Sequence, residues 1–359
     1  MAELNIRSSF RQQAWARLRR NKGAVAGMLL IAIAVVFSII AYWVSPDGTP
    51  MANRMIVEIG GQHPGFSIDL LALPRQQPVE KVGFLKRLIS GQAEEVNWVP
   101  VNSYQKGRDS IIVQRYVDEE TTMRESYPAK GTYIKHYKAW LGTDKFGRDI
   151  LSRLLVGTRV SLSVGFIAVI ISLTIGIFLG AVAGYFRGVT DDVVMWLVNV
   201  IWSVPTLLLV FAITLALGKG FWQVFIAVGL TMWVNVARII RGQVLSLREL
   251  TFIEATRALG FGHARTIVKH ILPNILGPVM VVAAGNFATA IVVEAGLSFL
   301  GVGVQPPQPS WGLMIKENYN FIITHNPLLA LAPGVAIMLM VLAFNLLGNG
   351  LRDAMDVRQ

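Results

Sequence analysis

Six stretches of about twenty apolar residues, at 23–44, 160–184, 193–218, 221–240, 276–301 and 327–348, leave this chain few choices of fold. A helix needs ~20 such residues to cross the hydrocarbon core, so each stretch reads as a spanning helix. Composition agrees: 53% of residues are hydrophobic and 15% charged, where an ordinary soluble domain is about a quarter charged. The first run exceeds the apolar region of a cleavable signal peptide, and Ala41-Tyr42-Trp43 supplies no A-x-A cleavage site. It is expected to be a retained helix with Tyr42 and Trp43 at the outer interface.

Charge predicts the orientation. With both termini inside, the cytoplasmic pieces hold fifteen Lys/Arg, running from Arg7 through Arg187 and Arg238 to Arg352 and Arg358. Glu3 is the one acid in the first 22 residues. The short outer pieces hold six bases, Lys145, Arg148, Arg153, Arg159, Lys219 and Lys316. That bias places the N-terminus and the 241–275 segment in the cytoplasm. The net charge of +11 therefore suits anionic lipid headgroups, not nucleic acid.

Several chemistries are excluded. There is no cysteine, hence no disulfide, thiolate metal site or Cys nucleophile. His63, His136, His263, His270 and His325 show no HExxH or other close ligand spacing, so no metal centre is expected. No G-x-x-x-x-G-K-[ST] loop occurs, so the chain is expected to have no nucleotide site and to bind no cofactor. Gly296-Leu297-Ser298 offers a serine, but no histidine falls within an apolar run to serve as its base.

Residues 45–140 are expected to form a water-facing α+β insertion, with strands at 55–59 and 110–117 and a short helix at 82–89. It would support the outer mouth, contact a soluble receptor, or act as a spacer.

The charged interval 254–273, EATRALGFGHARTIVKHILP, reads as the part that touches a partner. Thr251 and Glu254 fit a capping box. One helix should end at Gly260, and a second should run from His263 to near Pro273, with Ile267, Val268, Ile271 and Leu272 on one face. This interval resembles the cytoplasmic EAA loop of ABC importer permeases: Glu254, Ala255, Gly260, Leu272 and Pro273 match in register. Thr256 replaces the second alanine and His270 an isoleucine, and the HILPN reading is similar to the peptide-importer branch. The resemblance implies that Glu254, Ala255, Thr256, Leu259, Gly260 and Phe261 couple the chain to a separate ATPase. Without it, the same residues fit two amphipathic helices on anionic lipid.

Residues 141–161, LGTDKFGRDILSRLLVGTRVS, suit a tight turn followed by an amphipathic helix over 148–155, with Asp149 and Arg153 as an i,i+4 pair. They resemble the G-T-D-x-x-G-R-D-x-x-S-R signature of dipeptide, oligopeptide and nickel importer permeases of the C type. Gly142, Thr143, Asp144, Gly147, Arg148, Asp149, Ser152 and Arg153 all match, and a structural role is expected for them at the outer interface.

Gly176, Gly180 and Gly184 form a close-packing face, Pro205 marks a kink, and Asn235 lies inside an apolar run with Arg238 and Arg241 at its end. Glu294 is either a pathway residue or an anchor, since it lies ~26 Å along its run at 1.5 Å per residue. The likeness to the permease family is close over 141–357 and weak over 23–44, and it leaves 45–140 largely outside.

The expectation is thus an all-α integral membrane protein with six transmembrane helices of the ABC importer permease type and an extracytoplasmic α+β insertion after the first. Its parts are a basic cytoplasmic N-terminus (1–22), a first helix (23–44), the insertion (45–140) and a five-helix core (141–359) with a coupling loop at 241–275. The resemblance implies a bacterial inner-membrane location and peptide cargo. It also implies a second permease subunit, two ATPase subunits that hold ATP and Mg, and an extracytoplasmic solute-binding protein. The alternatives are a nickel or other small-solute permease of the same family, and an ATP-independent channel or secondary transporter.

Overall fold

The computed structural model describes residues 10–118, 120–323 and 326–355; Glu3, Arg7, His325 and Arg358 lie outside them. Two helices, α1 (Phe10–Arg20) and α2 (Lys22–Val44), precede a five-stranded antiparallel sheet. The sheet comprises β1 (Phe66–Pro74), β2 (Val96–Lys106), β3 (Ser110–Tyr116), β4 (Thr122–Pro128) and β5 (Tyr133–Ala139), in the order β4-β3-β2-β1-β5, with α3 (Phe84–Ser90) between β1 and β2. Then follow α4 (Ile150–Phe186), α5 (Gly188–Trp202), α6 (Thr206–Leu217), α7 (Phe221–Arg248), α8 (Thr251–Ala258), α9 (His263–Thr266), α10 (Leu276–Leu300), α11 (Trp311–Asn318) and α12 (Leu328–Met355). Among the described residues five helices are long and apolar enough to span a membrane; α5 and α6, bent by 90°, make a sixth if counted as one span. The chain is a mostly helical integral membrane protein carrying a small sheet.

Two compact units emerge, one of Met1–Ile33, Leu162–Leu297 and Ile337–Gln359, the other of Ala34–Ser161 and Ser298–Ala336. In the first unit the small residues of α4 let α7 approach. A Cβ on Gly176 would lie 2.4 Å from Val236 Cβ, and one on Gly180 would lie 2.5 Å from the Ala237 carbonyl. Gly180→Leu is therefore expected to destabilise this unit by about 1–3 kcal/mol or more through overpacking. Gly242→Leu, where a Cβ meets nothing within 4 Å, should be silent. Melting of the purified variants, followed by size exclusion, tests the contrast.

Leu18, Ala24, Leu351 and Ala354 share one cluster, and Asn21 Nδ2 donates to Asp353 Oδ2 at 3.2 Å. A Cβ on Gly277, near the start of α10, would meet Met355 Sδ at 2.7 Å. The ends of α1 and α12 and the chain entering α10 therefore meet on one side of this unit.

Three expectations need correction. Residues 55–59 are not a strand: Val57–Ile59 is a 3₁₀ turn, because Ile56 and Ile59 are buried three apart while Met55 and Val57 face out, a period that no strand has. The helix expected over 148–155 is not separate, but begins at Ile150 and runs unbroken through 37 residues of α4. The kink at Pro205 is a full break, since Pro205 takes φ −54 and ψ 125, outside the helical basin.

Candidate functional site

The interval 251–275 folds as a bent knob of short helices in the first unit. Its inner face is apolar: Ile253, Ile271 and Ile275 are buried with Tyr185, Val236, Ile240 and Val244. Tyr185 O–H and His263 Nδ1 lie 3.0 Å apart, and Thr256 and Thr266 hydroxyls 3.4 Å apart, tying α8 and α9 to α4 and to each other. Arg257 lies over the Tyr185 ring at 5.3 Å and Arg265 over Phe261 at 4.1 Å. Between the helices Gly260 has φ +76, a left-handed conformation that glycine adopts without strain. A Cβ there would touch nothing within 4 Å, so backbone conformation alone demands the glycine.

The outer face carries Glu254, Ala255, Ala258 and Leu259, all exposed, Leu259 by 72%. Thr256 is not on it: 5% exposed, its hydroxyl donates to the Ile253 carbonyl. The capping box does not form, because Leu250 takes the cap position and Thr251 begins the helix with no side-chain cap. Nor does the second helix stop at Pro273. A π turn over Ile267–Ile271, in which Leu272 N–H reaches the Ile267 carbonyl, and a 3₁₀ turn over Leu272–Ile275 absorb the missing proline donor and lead into α10. That turn rotates Val268 out to 60% exposure, away from the face it was expected to share with Ile271.

At the base of this unit, Arg241 Nη2 donates to Asp191 Oδ2 at 2.6 Å and Arg238 lies 3.6 Å over the Trp202 ring. A cavity of about 230 Å³ opens between α6, α7 and α10, lined by Val204, Leu207, Asn235, Asn286, Thr289 and Val293 among others. Asn235 faces it, Pro205 sits between two of its lining positions, and Glu294 follows Val293 but does not line it. Glu294 is fully buried within the chain.

In the second unit the 142–153 signature makes a charged core. Arg148 donates to Asp144 Oδ2 at 2.6 Å, to Glu317 Oε2 at 2.8 Å and to Asn53 Oδ1 at 3.3 Å. Arg153 donates to Glu317 at 3.1 Å and approaches Asp144 at 3.8 Å. The expected Asp149–Arg153 pair is absent among the described residues, because Asp149 is the cap of α4. Its carboxylate accepts from Ser152 N–H at 2.7 Å, from the Ser152 hydroxyl at 2.5 Å and from Tyr137 O–H at 3.0 Å. Burial raises the Asp149 pKa against the pull of those donors, and it raises the Tyr137 phenol as well, with the Asp149 charge adding to it. Thr143 Oγ1 donates to the Ile59 carbonyl, and Gly142 packs on the Gln62 carbonyl. Gly147, at φ +71, passes so close to Ile56 that a Cβ would overlap its carbonyl. Glu317 escaped the sequence reading: it lies 169 residues from Arg148, and a motif with two arginines and two carboxylates of its own gave no signal for it.

None of these clusters has the makings of a metal site, as no group of three His, Cys, Asp or Glu gathers among the described residues. The knob has a buried apolar inner face and an exposed outer one, and the charged core ties the 142–153 turn to Glu317 and Asn53.

A family model described as "Binding-protein-dependent transport system inner membrane component" matches residues 176–359, and one for the "N-terminal TM domain of oligopeptide transport permease C" matches 9–55. The glutathione transport system permease protein GsiD of Pectobacterium atrosepticum is 42% identical over 217 residues, 60% of this chain and 72% of that one. The oligopeptide permease OppC of Bacillus subtilis is 40% identical over 60% of this chain and 71% of its own length. For the dipeptide permease DppC of Alkalihalophilus pseudofirmus the values are 44%, 60% and 71%. With its apolar helices, its match across more than half of its length and relatives of this kind, the chain belongs to the inner-membrane permease components of binding-protein-dependent transport systems.

Proposed function

We propose that this chain is the C-type permease subunit of an ABC importer that carries di- or oligopeptides across the inner membrane. It would pair with a second, different permease subunit and work with two ATPase subunits and an extracytoplasmic solute-binding protein. The cargo reading rests on relatives named for glutathione, oligopeptides and dipeptides. No cofactor is assigned to this chain; ATP and Mg belong to the ATPases, since its sequence has no phosphate-binding loop.

The observation that carries the coupling role is the knob itself, apolar and immobilised within, with Glu254, Ala255, Leu259, Gly260 and the rim residue Phe261 at its bend. A docked rigid element of this kind can pass nucleotide-driven movement to α7 and α10. Thr256 would act from beneath, holding α8 to α9. The side that holds the knob also holds Asn21 and Asp353, and its exposed bases Arg257, Arg265 and Lys269 favour the cytoplasm. Both termini are accordingly assigned there. The basic segment 1–22, the helix 23–44, the insertion 45–140 and the core 141–359 serve as the working parts. Asn235 and the break before Pro205 would border the solute path, with Glu294 next to it.

The test is gentle purification of the tagged full chain with its neighbours. ATPase subunits are expected to co-purify with the unaltered chain and to be reduced at least tenfold by Leu259→Glu, which puts a charge on the exposed ridge. A lone protein, indifferent to nucleotide, would overturn the proposal.

A further inference from the structure

Helix α3 has seven residues and buries none of them; Phe84, Leu85 and Ile89 are exposed by 63, 70 and 68%. A helix this short is not stable alone in water. It is held by two fixings, both within the second unit. Arg159 of α4 donates to the Leu88 and Ile89 carbonyls at 2.7 Å each, satisfying acceptors that a helix end leaves orphaned, and also to the Ile39 carbonyl of α2 at 2.7 Å. The Trp43 ring, at the end of α2, meets Phe84 edge-on with centroids 5.0 Å apart. Both fixings tie α3 to the end of a spanning helix.

That end of α2 is itself bare. Ile39, Trp43 and Val44 are exposed by 51, 54 and 51%, and the apolar window of α2 is only 22% buried. In a spanning helix such a surface faces lipid. Phe84, Leu85 and Ile89 continue it beyond the helix end, while Lys86 and Arg87 occupy the remaining arc of α3 and are exposed. Apolar residues on one arc and bases on the other, joined to a spanning helix at the level of an interfacial tryptophan, are what a membrane headgroup region accommodates.

We infer that α3 is a lipid-interface foot: Phe84, Leu85 and Ile89 enter the upper acyl region of the bilayer that α2 crosses, with Lys86 and Arg87 on lipid phosphates. The occupant is lipid because the patch is continuous with the lipid-facing side of α2 and its bases complement phosphate. The foot holds the sheet to the membrane surface through Arg159, independently of what the transporter carries.

The chain has no cysteine, so single-cysteine variants report unambiguously. Leu85→Cys, Val36→Cys on α2 and Met123→Cys on β4 are each spin-labelled in the full chain, reconstituted in nanodiscs of mixed neutral and anionic phospholipid. Collision rates with oxygen and with a water-soluble nickel chelate are then compared. The Leu85 label is expected to favour oxygen over the chelate, as the mid-helix Val36 label does, with the Met123 label showing the reverse. A Leu85 label as open to the chelate as Met123 overturns the inference. So does one shielded from both reagents, which would assign the patch to a protein partner.

Discussion

Arg148→Met is expected to destabilise the sheet-bearing unit by ~3–5 kcal/mol, because it leaves two buried carboxylates to share one arginine, Arg153, so that one negative charge is uncompensated. Arg148 is 1% exposed, and its guanidinium is shared between Asp144 and Glu317. Methionine keeps much of the volume, so the loss is electrostatic and not a cavity. The same reasoning makes a second substitution restorative. Adding Asp144→Asn removes one stranded charge and leaves Arg153 balanced against Glu317, so the double variant should recover at least ~1 kcal/mol of the single loss. Thermal melting of the wild type, both singles and the double closes the cycle. Strictly additive losses would show that the four groups do not act as one network.

The second large effect is expected at the knob. Gly260→Val should leave the protein in the membrane at normal abundance yet lower uptake sharply while ATP hydrolysis continues. At φ +76 a residue with a Cβ costs ~1–2 kcal/mol, and β-branching adds to it, although space is open around the site. The strain is relieved by moving the bend that carries Leu259 and Phe261. Driving a two-state permease from 1:99 to 99:1 takes ~5.5 kcal/mol of differential interaction; losing ~2 kcal/mol of it lowers the state ratio about thirtyfold. Gly260→Asn, which tolerates the left-handed region, should retain most uptake. Uptake assays in vesicles with ATPase measured in parallel decide the matter, and unaltered uptake by Gly260→Val would remove the coupling role.

The two sites differ in how much of them can be read along the chain. The 142–153 signature carried its identity in consecutive letters, and the turn at Gly147 follows from them, whereas the brace around Arg148 needs Glu317 from far along the chain. The Asp149–Arg153 pair looked correct by spacing, but spacing counts only neighbours on one helix. Glu317 arrives from α11, offers Arg153 a buried partner, and frees Asp149 to cap α4. The knob shows the same contrast: its bend at Gly260 was legible, whereas the loss of the Thr251 cap and the passage through Pro273 were not. Proline argues for a stop only when its neighbours are helical by four-residue bonds. Here a π turn removes the conflict.

What this sequence determined by itself was whatever depends on local composition: the apolar lengths that make spanning helices, the glycines on α4 that admit α7, and the left-handed residue between α8 and α9. What only the tertiary structure decided was every choice among partners distant in the chain. Examples are which carboxylate neutralises Arg153, which face of the knob is buried, and where Arg159 fastens α3. Burial of a charge or a short helix is settled by the groups that fold around it, and sequence spacing carries no record of elements brought together from afar.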